Sequence, residues 1–275
     1  MADGEAEERS LTGTAADGAA DDMTFFEHLE ELRSTLIACL VAFAAAGALS
    51  LVFSKQIFSA LRWPLEHAPS VPAGEAQALV VMRFMDTFSI LIYIALLGGI
   101  VFAGPLMLYR IGKFVAPALT DAERVRLIPF CAASSGLFLA GAAAAFFWLA
   151  PLSIGLPYLL AEHFGMQMHW LAEDYYLFVV MLTLFCGLMF EFPLLVMLLQ
   201  YLELISKRTL LEKWRWALTG ILVAVVLVSP IGDPAALLVF SGALFALYLA
   251  AVHAGAFLVR RKKAREAAEE KADAS

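Results

Sequence analysis

The run Y-Y-L-F-V-V-M-L-T-L-F-C-G-L-M-F-E-F-P-L-L-V-M-L-L, from Tyr175 to Leu199, contains one charged side chain, Glu191. A helix needs about 20 consecutive, mostly apolar residues to cross the hydrocarbon core of a bilayer, and this run is long enough. Dividing the chain at its charged residues reveals five further apolar runs. The six predicted spans are 34–54, 87–109, 127–151, 175–199, 216–230 and 235–259. The sequence therefore predicts an all-α, polytopic membrane protein with six transmembrane helices.

The overall composition agrees with a membrane protein. Of the 275 residues, 61% are hydrophobic and 16% are charged, whereas soluble domains usually carry about 25% charged residues. Four prolines lie at or near the predicted spans: Pro105, Pro151, Pro193 and Pro230. Because proline bends or ends helices, we expect bent helices that form a concave, glove-like bundle.

Two features of the spans concern packing. Only 17 uncharged residues separate Arg215 from Asp233, so the fifth span crosses the hydrocarbon only if it stands nearly upright or the bilayer is locally thin. In the third span, small residues recur every four positions, at Gly136, Ala140 and Ala144. Such a ridge lets another helix approach closely, so we expect it to lie at a helix contact.

The distribution of Lys and Arg predicts the orientation, because basic residues near span ends are retained on the cytoplasmic face. With the N-terminus inside, the cytoplasmic segments hold all but three of the 19 basic residues. The outer loops hold only Lys55, Arg62 and Arg83. Both termini are therefore expected to be cytoplasmic.

The predicted organisation has three parts. Residues 1–22 form an acidic tail without the basic start and apolar core of a signal peptide, and this composition favours a disordered cytoplasmic segment. Residues 23–259 form the six-span membrane domain, and residues 260–275 form a charged cytoplasmic tail.

Signatures of catalysis and metal binding are missing from the sequence. It has no H-E-x-x-H, G-x-S-x-G, P-loop or G-x-G-x-x-G motif. Asp233 has no second intramembrane Asp with which to form a protease pair, and the spacing of His163 and His169 does not suit a metal site on one helix face. We therefore expect no enzyme activity, no cofactor, no bound metal and no nucleic-acid partner.

The segment F-F-E-H-L-E-E-L-R, from Phe25 to Arg33, leads directly into the first span. As a helix it places Phe and Leu on one side and its three glutamates on the other. Helices at a membrane surface are normally rich in Lys and Arg, so these acids suggest a cationic partner. The alternative is a solvated helix start whose acids interact favourably with the helix dipole.

A second acid on the same predicted face is Glu123, in the loop F-V-A-P-A-L-T-D-A-E-R from Phe114 to Arg124. Thr120 and Glu123 also fit a capping box at the start of the third span, so a purely structural role stays open. The two acidic segments could instead face one cavity.

Glu191 is the only acid well inside a predicted span. A charged carboxylate there costs about 2.5–3.5 kcal/mol on insertion scales. It is expected either to have a function or to join a structural polar network with Ser134, Ser135 or Thr219. An alternative function is a proton-coupled secondary transporter with Glu191 as its titrating group, although no internal repeat supports such an architecture.

Five motifs occur in order along the spans: H-L-E-E-L-R, W-P-L at 63–65, F-V-A-P-A-L-T-D-A-E-R, F-C-G-L-M-F-E-F-P and S-P-I-G-D-P at 229–234. With these motifs the chain resembles TatC, the core subunit of the twin-arginine protein translocase, from about Met23 to Arg261. The resemblance implies a signal-peptide receptor and scaffold in a bacterial-type inner membrane. The implied partners are twin-arginine signal peptides of folded cargo, single-span TatA/TatB-type subunits, further copies of the chain and the lipid bilayer.

The resemblance also assigns roles to individual residues. Glu31 and Glu123 are expected to contact the twin arginines, and the residues expected to support this surface are Arg33, Arg124 and His28. Glu191 is expected in a polar cluster on the concave face, where it is a candidate for coupling to the proton gradient. The positions expected to have structural or loop roles are Pro64, Phe114, Pro117 and Asp233.

The segment Pro230-Ile-Gly-Asp233 stands where the family usually has paired prolines before its outer-loop acid, and three single positions also depart from the family pattern. Val125 stands where a second basic residue commonly follows the loop acid, Leu237 where Gln is often found, and Leu249 where an acid is frequent in the last span. Leu237 and Leu249 lie in the sixth predicted span, so these two departures bear on that part of the molecule and on any partner that docks there.

Overall fold

The structure is a computed structural model, and it describes residues 25–69, 71, 79–115, 127–166, 169–201, 204–228 and 234–273. Nearly all of these residues are helical. In chain order the helices are α1 (Phe25–Val52), α2 (Ser54–Leu61), α3 (Trp63–Glu66), α4 (Asp86–Val115), α5 (Leu127–Ala144), α6 (Ala150–His163), α7 (Ala172–Tyr201), α8 (Lys207–Glu212), α9 (Trp214–Val228) and α10 (Pro234–Asp273). A π-helical turn, Ala145–Leu149, joins α5 to α6.

Five helical segments of the described chain are long and apolar enough to cross a membrane: His28–Val52, Asp86–Phe114, Ile128–His163, Ala172–Tyr201 and Phe240–Ala264. A sixth apolar helix, Trp214–Val226, is shorter. It coincides with the fifth predicted span, which the charge spacing had marked as short. The prediction of an all-α, polytopic membrane fold is confirmed.

The helix that contains the third predicted span is longer than expected. The span was predicted to end near Pro151, yet the helix continues through the π-helical turn to His163. Pro151 lies just after the π-helical turn, inside this continuous helix, and does not end it. Pro105 and Pro193 likewise lie inside α4 and α7 and do not end them. At the C-terminus, residues 260–273 continue α10, whereas residues 1–22 lie outside the described part of the chain.

The long helices form an open arrangement in which α4, α5 and α7 contact one another. The main neighbours among the described residues are α1 with α4, α4 with α5 and α7, α5 with α7, α7 with α10, and α10 with α9. None of these main contacts joins α1 to α9 or α10. The bundle is therefore open on one side, as expected for a concave shape. Because α1 packs mainly on α4, apolar side chains such as Leu36 and Leu40 remain exposed.

Helices α1 and α4 are antiparallel and in close contact. A Cβ atom at Gly47 would lie 3.1 Å from the Ala95 carbonyl oxygen, and one at Gly99 would lie 2.7 Å from the Phe43 ring. Small residues thus allow the two backbones to approach. We call the end of the bundle where α1 begins and α4 ends the Glu31 end, and the opposite end, where α2 and α3 lie, the Pro64 end.

The contact between α5 and α7 uses a different glycine from the one predicted. Nothing lies within 4 Å of a Cβ atom at Gly136, and Ala140 is exposed. The expected ridge is therefore not at this contact. Gly141 is the residue at the contact, and a Cβ atom there would lie 2.5 Å from Phe190 and 2.8 Å from the Cys186 carbonyl oxygen.

At the Pro64 end, hydrogen bonds tie the segments between helices together. Tyr175 is fully buried, and its hydroxyl donates to the Leu61 carbonyl oxygen at 2.7 Å. The Val80 N–H donates to the Trp170 carbonyl at 3.2 Å, and the Val80 carbonyl accepts from Ala172 N–H at 2.9 Å. These bonds connect the segment before α4 to the segment before α7.

Candidate functional site at the Glu31 end

The structure brings together two of the motifs that stand out in the sequence. His28, in the H-L-E-E-L-R motif, stacks on Phe114, which begins the F-V-A-P-A-L-T-D-A-E-R motif. Their ring centroids are 4.5 Å apart and the ring planes are inclined by 22°. Phe114 was predicted to be a structural or loop residue, and the structure places it in the last turn of α4. The start of α1 and the end of α4 therefore form one surface.

Glu31 lies on this surface, next to the stacked rings. It follows His28 by three residues, and residues at this spacing are neighbours on one helix face. The side chain is partly buried, and among the described residues its Oε2 atom is buried without a hydrogen-bond partner. A buried polar atom without a partner costs about 1–3 kcal/mol, so a cationic donor at this position would be favoured.

Arg33 does not share the face of Glu31. Residues two apart do not face each other on a helix, and Arg33 is exposed. The structure therefore separates these two predicted residues, although both belong to one short motif. Glu123, Arg124 and Pro117 lie outside the described residues, as does Asp233.

Glu191 makes a hydrogen bond across the α5–α7 contact. The Ser134 hydroxyl, which is buried on α5, donates to Glu191 Oε2. The other two candidate partners bond within their own helices: Ser135 donates to the Cys131 carbonyl at 3.0 Å, and Thr219 to the Arg215 carbonyl at 2.9 Å. Glu191 Oε1 is buried and has no partner among the described residues.

Gln200 is a buried polar residue that the sequence reasoning missed. It lies at the end of α7, is 2% exposed, and neither side-chain polar atom has a partner in the described part of the chain. Its amide packs against α10 at Gly255, where a Cβ atom would lie 2.6 Å from Gln200 Nε2. The sequence feature that could have identified Gln200 is a polar amide side chain directly after a long apolar run.

The two residues of the sixth predicted span that depart from the family pattern belong to an apolar cluster. Leu237 and Leu249 are both partly buried against core residues that include Val196, Val225 and Tyr248, from α7, α9 and α10. Apolar side chains at these positions contribute to packing between the helices.

Pro64 is fully buried in α3 at the opposite end of the molecule. The adjacent Trp63 ring stacks on His67, with centroids 4.2 Å apart. Arg62 Nε donates to the Tyr176 hydroxyl at 3.4 Å, and this hydrogen bond raises the pKa of the Arg62 guanidinium. The W-P-L motif therefore lies among packing contacts and not beside Glu31. Within the described ranges, no group of three or more His, Cys, Asp or Glu side chains could hold a metal ion.

The comparisons with known proteins agree in one family. The family model for the Sec-independent protein translocase protein (TatC) matches residues 27–242. A chloroplastic TATC of Arabidopsis thaliana is 33% identical over 87% of this chain and 67% of its own length. The TatC of Aquifex aeolicus is 30% identical over 88% of this chain and 98% of its own.

A solved structure supports the same assignment. A crystal structure of the twin-arginine translocase receptor TatC superimposes with a TM-score of 0.73 at 28% identity, and the match covers 84% of this chain and 99% of that one. A second crystal structure of that receptor, in the detergent DDM, gives the same TM-score and identity. The chain therefore belongs to the TatC family of Sec-independent protein translocase proteins, which are membrane-embedded translocase subunits and not enzymes.

Proposed function

We propose that this protein is the signal-peptide receptor and scaffold subunit of a twin-arginine translocase. Glu31 and Glu123 bind the arginine pair, and Arg124 supports the surrounding surface together with Arg33, which is exposed on another face of α1. The observation that carries this proposal is the partly buried Glu31 side chain, whose Oε2 atom is buried and lacks a hydrogen-bond partner among the described residues. The similar solved structure is that of a twin-arginine translocase receptor, which points in the same direction.

The chemistry of the two acids explains why the ligand carries arginines. Arg presents a planar fork of donors that binds a carboxylate through two parallel hydrogen bonds, whereas Lys is a compact point charge. Each charged hydrogen-bonding contact contributes about 1.5–3 kcal/mol. Two contacts therefore contribute about 3–6 kcal/mol, equivalent to dissociation constants from several millimolar to tens of micromolar.

The remaining affinity comes from apolar contact. The signal peptide's hydrophobic segment can lie along the exposed apolar face of α1, which includes Leu36 and Leu40, or in the adjacent lipid. At the start of a membrane-spanning helix, the arginine pair can contact the carboxylates while the hydrophobic segment contacts the apolar face of α1 or the lipid.

The proposed setting is a bacterial-type inner membrane with both termini in the cytoplasm. The support is the distribution of basic residues in the sequence, because the predicted cytoplasmic segments hold all but three of the 19. The proposed protein partners are folded cargo bearing twin-arginine signal peptides, single-span TatA/TatB-type subunits and further copies of this chain.

Peptide binding tests the receptor function. Purified protein is titrated with a fluorescent signal peptide that carries Arg-Arg or Lys-Lys, and the same measurement is made on Glu31→Ala and Glu123→Ala. We expect each variant to weaken Arg-Arg binding at least tenfold. Glu30→Ala is the matched control, because Glu30 is exposed on the same helix. Equal binding by all of these proteins would refute the proposal.

A second proposal concerns Glu191, whose carboxylate bonds to Ser134 between two helices. The family assignment favours a protein translocase over a proton-coupled secondary transporter, so we propose that Glu191 serves transport of cargo, either in coupling to the proton gradient or in contacting a single-span partner. Export of a folded reporter by Glu191→Ala cells tests this role, and normal export would exclude it. Uptake of a small solute by vesicles containing the purified protein would instead favour the transporter.

A further inference from the structure

We propose that the stacked rings of His28 and Phe114 form a platform for an arginine of the signal peptide. The guanidinium lies flat on the exposed His28 ring while its edge donates hydrogen bonds to Glu31. This inference rests on the proposed receptor function and adds to it a positioning role for Phe114 and a specificity role for His28, which selects Arg over Lys.

The geometry of the pair provides a flat and accessible surface. A centroid separation of 4.5 Å and an inclination of 22° make the rings nearly parallel. Phe114 is half-buried, whereas His28 is exposed. Phe114 therefore covers one face of the imidazole and leaves the other face open to a ligand.

Glu31 is placed to act together with this platform. It lies one helical turn beyond His28 on the same face of α1, and its Oε2 atom is without a partner among the described residues. A planar cation stacked on the imidazole can point its N–H groups outward in the plane of the ring. Because residues three apart are neighbours on a helix, the Glu31 carboxylate is within reach of a cation stacked on His28.

This combination discriminates between the two basic side chains. A guanidinium is planar and weakly hydrated, so it can stack on an aromatic ring and donate in-plane hydrogen bonds at once. An ammonium group is compact and strongly hydrated, and it loses more hydration energy when it approaches a ring. Glu31 attracts both cations and favours Arg through two parallel hydrogen bonds, and the ring adds a second contact that favours Arg.

The position of the platform depends on the contact between α1 and α4. Phe43 packs on Gly99 and Gly47 packs on the Ala95 backbone along the same pair of helices. These close contacts set the register that brings His28 beside Phe114. Because the rings are held by two long helices and not by a loop, the platform is in place before a ligand binds.

The experiment measures how strongly the protein prefers Arg over Lys. Full-length protein in nanodiscs is titrated with Arg-Arg and Lys-Lys peptides, and the ratio of the two dissociation constants is compared among variants. Removal of the ring in His28→Leu or His28→Gln is expected to lower this ratio about two- to fivefold, the range for a cation stacked on an exposed aromatic ring. His28→Phe keeps an aromatic ring and is expected to leave the ratio unchanged.

Thermal stability measured on the same samples separates recognition from simple helix packing. If both ring-removing variants keep the wild-type ratio, the platform is refuted, and any loss of stability then shows that the stack only ties α1 to α4. If Glu31→Ala loses Arg-Arg binding while the His28 variants keep the ratio, the receptor function stands and only the platform fails. If wild-type protein binds both peptides equally, the receptor function itself fails.

Discussion

Substitution of Gly141 by Ala tests the packing between α5 and α7. The added Cβ atom would lie 2.5 Å from Phe190 Cγ and 2.8 Å from the Cys186 carbonyl oxygen. The Phe190 ring can turn away, but the carbonyl belongs to the α7 backbone, so the two helices must separate. We expect the variant to be less stable than the wild type. Gly136→Ala is the matched control on the same helix, because nothing lies within 4 Å of its added Cβ atom.

The control isolates the cost of the steric overlap. Both substitutions gain about 0.5–1 kcal/mol, because Ala is a better helix former than Gly. Only Gly141→Ala also overpacks the contact, which typically costs about 1–3 kcal/mol. The free energies of unfolding of the two variants should therefore differ by about 1–3 kcal/mol. At about 2–4 °C per kcal/mol for a chain of this size, this corresponds to a difference in Tm of roughly 2–12 °C.

The natural cysteines provide the assay. Cys39, Cys131 and Cys186 are free and buried, so a thiol-reactive fluorogenic dye labels them only as the protein unfolds. Tm is measured for the wild type and both variants in the same detergent. Equal Tm values for Gly141→Ala and Gly136→Ala would show that the α5–α7 contact is not as close as the structure indicates, and the reasoning would be wrong.

Three further substitutions test other contacts by the same assay. Tyr175→Phe removes the hydroxyl that donates to the buried Leu61 carbonyl, and we expect a loss of about 1–3 kcal/mol in the free energy of unfolding. Arg83→Ala removes the ion pairs of an exposed side chain with Asp86 and Glu173, whose side chains are only 5% and 19% exposed. Because these carboxylates are largely buried, we expect a loss of about 1–3 kcal/mol, more than for an ion pair exposed on both sides. Gly255→Ala overlaps only the flexible amide of Gln200, so its Tm should fall less than that of Gly141→Ala. Addition of Gln200→Ala should restore it, and failure of this rescue would contradict the assigned contact.

The fold class could be predicted from the sequence because the requirements of a bilayer are local. Each span needs an uninterrupted apolar run, and charged residues are excluded from its centre. The short fifth span followed from the spacing of Arg215 and Asp233, and the structure contains the corresponding short helix. The end of the third spanning helix was predicted less well, because Pro151 lies inside a continuous helix and does not end it.

The candidate site could be predicted only in part. Glu31 and Glu191 stand out in the sequence because an acid is unusual beside or inside an apolar run. The partners of these acids could not be read in the same way. Ser134 and Ser135 are adjacent in the sequence, yet only Ser134 bonds to Glu191, while Ser135 bonds within α5.

The sequence alone therefore determined that the chain is helical, that it is built to cross a membrane, and where its unusual charges lie. The tertiary structure decided which face of each helix meets which neighbour: Gly141 and not Gly136 at the α5–α7 contact, and His28 beside Phe114 at the Glu31 end. The reason is physical. In a membrane protein the lipid-facing and the buried sides of a helix are both apolar, so hydrophobic periodicity carries little information on rotation about the helix axis. That rotation is set by the close packing of side chains between helices.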